Sequence, residues 1–173
     1  VGQLVEDWPA MARQAQAGLE QRLAQTRETT GMAEARLQAR LGDEMLVVAG
    51  AAGLSLGVSE APLMAALLEP GAVADLLDCQ LAVGLAQLEA LAGRGIKVVL
   101  GGGDMADKNG PIYSPAMFRQ FMLPRWRTLA ARCRELGLHY VWRSDGNLWA
   151  VSDMLFTDAG FPAYGEIDYD ASM

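Results

Sequence analysis

Apolar residues along this chain follow a helical period in some stretches and a strand-like one in others. Met11, Ala15, Leu19 and Leu23 recur four apart behind Trp8-Pro9, a helix start with Glu6 and Asp7 near its positive end. Thr29-Thr30-Gly31 interrupts that helix, and a second carries Met32, Ala35 and Leu37 as far as Gly42-Asp43. Met45 to Ala49 reads as a first buried strand, and residues 50–57 as a small-residue, glycine-rich loop. Ser59 caps a helix with Pro62 in its first turn, which ends at Glu69-Pro70-Gly71. Its Met64, Leu67 and Leu68 read as core filler. A long helix from about Ala72 to Ala92 turns Leu76, Leu77, Leu81, Leu85 and Leu88 towards a core.

Gly95 introduces the second strand, Ile96 to Leu100, which runs into Gly101-Gly102-Gly103-Asp104. Residues 107–109 read as a loop and Gly110-Pro111 as a turn. Ser114-Pro115 opens a helix that reaches Gly137, bent by Pro124 inside it. The stretch from Leu138 to Trp149 is the centre of the pattern. Its bulky, aromatic first half suits a buried strand; Ser144-Asp145-Gly146-Asn147 is a turn; a helix follows from Asn147 to Asp158. Phe161 to Ile167 is a fourth short strand, with Tyr164, Glu166 and Asp168 on one face. Strands near 45–49, 96–101, 139–143 and 163–167 alternating with helices predict an α/β fold with a parallel sheet.

Strand parity then selects candidate chemistry. His139, Val141, Arg143 and Asp145 share one face, and so do Val98, Leu100, Gly102 and Asp104. Asp104, Arg143 and Asp145 fall at the carboxyl ends of their strands, where parallel α/β folds bind ligands. The plainer readings are a structural ion pair between Arg143 and Asp145, and a glycine loop capped by Asp104.

At 173 residues, with a net charge of −7, the chain is long enough for one sizeable core and is poorly suited to nucleic acid or anionic membranes. No apolar run of about 18 residues is free of breakers, which predicts no membrane span. The first residues lack a basic and an apolar segment, so no signal peptide is expected. Cys79 and Cys133 lie in helical patterns and read as buried thiols of a reducing compartment, which places the protein in the cytoplasm. Two cysteines and one histidine are poor stock for a zinc site, and no metal is expected. The polar residues of the first forty read as a solvated face with no chemistry.

Two stretches carry a resemblance. Residues 104–125, with Asp104, Gly110-Pro111, Ser114-Pro115, Phe118, Phe121 and Leu123-Pro124-Arg125 in that order, are one; Arg143-Ser144-Asp145-Gly146-Asn147 is the other. Together they resemble the uroporphyrinogen decarboxylase superfamily, which includes the cobalamin-dependent methyltransferases. The resemblance runs from about Trp8 to Met173 and is strongest from Gly95 to Asp168. It implies a (β/α)8 TIM barrel with its site at the carboxyl face. A whole barrel needs about 250 residues, so a single partial barrel of about four strands is expected: N-terminal helices over 1–44 and βα repeats over 45–173. A fragment, or a shortened chain that assembles with a copy of itself as a homo-oligomer, would follow.

The resemblance also implies roles. Asp104 matches the second of the relatives' paired acids, and Gly103 replaces the first. Arg143 stands where many relatives have histidine, and Asp145 where the methyltransferases have a zinc-binding cysteine. A guanidinium does not ligate metal and suits a carboxylate instead. The implied enzyme is a decarboxylase-like one acting on a tetrapyrrole or related anionic substrate. Asp104 and Asp145 are then its catalytic candidates, and Arg143, Tyr164 and Glu166 its substrate contacts, with no cofactor. Methyl transfer with a corrinoid protein as partner is the alternative, and an inactive assembly module of the same fold is the third.

Overall fold

The structure, a computed structural model, describes residues 7–51 and 53–173. Glu6 and the signal-peptide expectation for the first residues lie outside them. Three helices come first: α1 (Trp8–Ala17), α2 (Leu19–Thr29) and α3 (Met32–Leu41). Asp7 caps α1, its Oδ1 accepting from the Ala10 N–H at 2.9 Å, and Pro9 fits the first turn, where no N–H is needed. Gly18 divides what the spacing predicts as one helix. Arg94, at the end of the later helix α5 (Pro70–Gly93), donates from Nη2 to the carbonyls of Arg27 (3.1 Å) and Glu28 (2.8 Å). A cation on those last carbonyls suits the negative end of α2 and docks it on α5.

The main sheet holds β1 (Val48–Gly50), β2 (Val98–Gly102), β5 (His139–Arg143) and β6 (Ala163–Tyr164) in that spatial order, all parallel. β3 (Ala106–Asp107) and β4 (Gly110–Pro111) form a small antiparallel hairpin where the sequence suggests only a loop and a turn. The α/β class and the parallel order agree with the periodicity. The edges do not. β1 starts at Val48, because Met45 and Leu46 are 61% and 70% exposed and find no core to enter. β6 keeps two residues of an expected five, so Tyr164, Glu166 and Asp168 do not share a strand face.

Register decides which side chains are buried. Ala49, Val99 and Tyr140 align across the sheet, and with Trp142 they are at most 2% exposed. The other face carries Val48, Val98, Leu100, His139, Val141 and Arg143, none of them buried. One face is therefore sealed and the other open. The sealed face meets α7 (Leu123–Leu136) through an aromatic chain. Trp126 and Trp142 cross edge to face at 5.2 Å, and Phe161 lies 4.9 Å from both Tyr140 and Trp142. The indole N–H groups of Trp126 and Trp142 have no hydrogen-bond partner among the described residues, so these rings contribute apolar area rather than polar anchoring.

The helix expected from Ser114-Pro115 to Gly137 is not continuous, and Pro124 stands in the first turn of α7 rather than inside a bent helix. α6 (Pro115–Met117), capped by Ser114 Oγ on the Met117 N–H, passes through a wide π turn at Phe118–Met122 before α7. There the Leu123 N–H reaches back to the Phe118 carbonyl, which makes room for a residue without an N–H. Buried Arg125 then donates to the Phe121 carbonyl (2.7 Å), the Ala74 carbonyl (2.8 Å) and Asp78 (2.7 Å), tying this turn to α5.

Three further expectations change. The helix expected from Asn147 starts at Trp149 as a 3-10 turn and continues to Ala159 in π geometry. In α4 (Glu60–Leu68) the buried residues are Pro62, Ala65 and Ala66; Met64, Leu67 and Leu68 are 47–69% exposed, because small residues face the neighbouring helix. Finally, α5 is by length and composition apolar enough to cross a membrane, unlike the breaker-based expectation. Here it is a core helix, with Val73, Leu77, Leu88 and Leu91 at most 1% exposed.

Trp142→Ala is expected to cost about 3–5 kcal/mol, the usual loss for emptying a buried aromatic site, read from urea denaturation. The buried Cys133 thiol gives a pH test. Burial pushes its pKa up from 9.0 to about 11. A raised folded pKa means the contribution is intact below pH 9 and lost as pH climbs towards 11. Stability of the wild type should fall over that window, and Cys133→Ala should flatten the fall.

Candidate functional site

The site is built on the segment after β5. Ser144 Oγ accepts from the Met105 N–H (3.1 Å) and donates to the Asp145 carbonyl (2.9 Å). The Asn147 N–H donates to the Asp107 carbonyl at 2.8 Å. The turn is thereby fastened to the β3–β4 hairpin. On its other side it meets the chain's last residues: Gly146 N–H donates to Asp168 Oδ2 (3.2 Å), Asn147 Nδ2 to the Ala171 carbonyl (3.1 Å) and Trp149 Nε1 to the Ser172 carbonyl (3.1 Å). Gly146 has φ +81°, and a Cβ there would lie 2.6 Å from the Ala106 carbonyl group, so only glycine fits between turn and hairpin.

Gly102 does the same between strands. Its φ is +124°, and a Cβ would lie 2.1 Å from the Arg143 carbonyl oxygen. That close approach sets the carboxyl ends of β2 and β5 side by side and brings Asp104 and Arg143 to one cavity of about 550 Å³. The walls are Ala51, Gly53, Leu100 to Asp104, Arg143, Glu166, Arg22 of α2, and Gln80, Val83, Gly84 and Gln87 of α5. Gln80 holds the loop after β1, accepting from the Ser55 N–H (3.1 Å) and donating to its carbonyl (3.2 Å).

Charge in the cavity is arranged in one pair and two single groups. Arg143 donates from Nε to Glu166 Oε1 at 2.7 Å and from Nη2 to the same oxygen. The side chains are 48% and 32% exposed, so the pair is open rather than sealed. The hydrogen bonds to Glu166, then its charge, raise the Arg143 pKa above its ordinary value; Asp145 and Asp104 add in the same direction. Asp104 and Arg22 are exposed and make no hydrogen bond or ion pair within the described residues.

The five candidates thus separate. Asp104, Arg143 and Glu166 share the cavity. Asp145 lines an adjoining acidic concavity with Glu166, Asp168 and Asp170, because the turn after Ser144 carries it past the end of the strand. Tyr164, in register with Trp142, packs against Phe156 at 6.0 Å and donates to the Ser144 carbonyl. Burial first, and then Glu166, Asp145 and Asp168, push its phenol up to about 12. It is a brace for the turn rather than a wall of the cavity.

Arg22 is the residue the pattern does not reveal. It belongs to a helix without buried residues, and nothing in its spacing separates it from its solvated neighbours. Only the docking of α2 on α5 takes it to the cavity. No three metal-ligating side chains are grouped among the described residues. No family model, curated protein or solved structure matches the chain.

Two substitutions separate brace from site. Ser144→Ala should cost about 1–3 kcal/mol, because the buried Met105 N–H loses its acceptor. Arg143→Ala should leave the denaturation midpoint close to wild type, since its pair is open to solvent.

Proposed function

We propose that the chain is an enzyme of the uroporphyrinogen decarboxylase superfamily kind, acting on a small molecule that carries several carboxylates, with a tetrapyrrole as the leading class. One observation carries the reading: Arg22, Arg143 and Asp104 line a single cavity at the carboxyl ends of parallel strands. In the same reading the sheet is part of a (β/α)8 barrel, its sealed face turned to the helices and its open face inward.

The chemistry asked of the site is modest. Arginines hold acetate groups of the substrate by paired N–H donors. A proton added to the pyrrole makes the ring an electron sink. The C–C bond to the acetate carboxylate then breaks, CO₂ leaves and its electron pair flows into the ring. A proton on the exocyclic carbon completes the methyl group, and the ring proton departs. Asp104 is the carboxylate suited to stabilise the cationic ring, since it makes no ion pair among the described residues.

Titration with coproporphyrin, followed by its fluorescence, tests binding; CO₂ release from uroporphyrinogen tests turnover. Arg22→Ala and Arg143→Ala should each weaken binding about tenfold or more, the worth of a charge-assisted hydrogen bond. Asp104→Asn should retain binding and lower turnover by about a hundredfold or more. Turnover unchanged in Asp104→Asn would overturn the reading.

A further inference from the structure

Glu166 lines both the Arg143 cavity and the acidic concavity of Asp145, Asp168 and Asp170. Its carboxylate sits on two donors of the Arg143 fork, the position a ligand carboxylate would take. Two influences favour that position. Arg143 attracts the carboxylate, and the three acids on the other side disfavour its turning away from the fork. The chain is held on either side of Glu166. The Gly165 N–H is held by the Trp142 carbonyl (2.9 Å), and Asp168 is held by the Gly146 and Ala171 N–H groups, so Glu166 and Ile167 lie between two fixed points. The pair is half open to water, where such pairs exchange at small net cost.

Resting on the reading of this cavity as a carboxylate site, we propose that Glu166 is a built-in competitor that weakens every carboxylate at the Arg143 fork, so that only a molecule with a second carboxylate gains enough to bind tightly. A single carboxylate exchanges one exposed pair for another and gains little. A second carboxylate reaches Arg22, whose guanidinium has no ion pair to give up among the described residues. Glu166 thus sets the threshold of affinity at the fork it shares with the ligand.

The sign of the effect provides the test. Calorimetric titration of the full chain uses propane-1,2,3-tricarboxylate and acetate as probes, on wild type, Glu166→Gln, Glu166→Ala and Arg143→Gln/Glu166→Gln. Removing the competitor is expected to tighten the tricarboxylate about two- to fivefold, the worth of one exposed pair. Acetate should gain by a similar factor, so that the ratio between the two probes is unchanged, and the double variant should lose both gains. Glu166→Ala carries the same expectation should the glutamine variant not fold. Equal or weaker tricarboxylate binding in the folded Glu166 variants, beside measurable binding by wild type, overturns the competitor and leaves the cavity reading standing. No binding of the tricarboxylate or of coproporphyrin by wild type and the Glu166 variants overturns the cavity reading, and the competitor with it.

Discussion

The hydrogen bonding of the Ser144–Trp149 segment is the constraint on which the rest of the structure depends. A strand that ends under a close-packed loop leaves several main-chain groups with no sheet partner, and each is costly if left unpaired. Here they are met from both sides. The β3–β4 hairpin supplies one set of partners and the last six residues the other. Hairpin, strand end and terminal turn are thereby held in one arrangement. The positions of Asp104 before the hairpin, Arg143 before the turn and Glu166 before the terminal segment all follow from it.

The centre of the sheet was legible because its two faces have unlike surroundings. Tyr140 and Trp142 alternate with His139, Val141 and Arg143, and one set packs on helices while the other does not. A period-two pattern records that contrast directly. The edges were less legible, since at an edge the contrast fades: Met45 and Leu46 are as apolar as a strand needs and stay exposed. Asp145 shares strand parity with Arg143, but the alternation stops counting where the backbone turns at Ser144. Arg22 was illegible for another reason. Its place depends on Arg94 gripping the end of α2, a contact between residues sixty-six and sixty-seven positions apart that no local period encodes.

The energetics divide along the same line. The sealed face holds the fold together by aromatic area, and burial there is complete enough to push the Cys133 thiol and the Tyr113 phenol well above their ordinary values. On the open side the charged groups remain hydrated, contribute little to stability and keep freedom to change partner. Apolar packing and open charge thus lie on opposite faces of one sheet.

The π turn at Phe118–Met122 has a consequence for how this chain tolerates changes in length. A wide turn holds about one residue more than an α turn, and that extra residue rotates the preceding turn by about 100° relative to α7. Phe118, Phe121 and Met122 point into the same core as Trp126 and Leu129 only because of that offset. A one-residue deletion here would give a more regular helix and a worse protein, swinging the Ser114 cap and Tyr113 away from the core while Arg125 lost the carbonyl it clasps. Length is therefore fixed by the least regular turn of the helix, the reverse of what local regularity suggests.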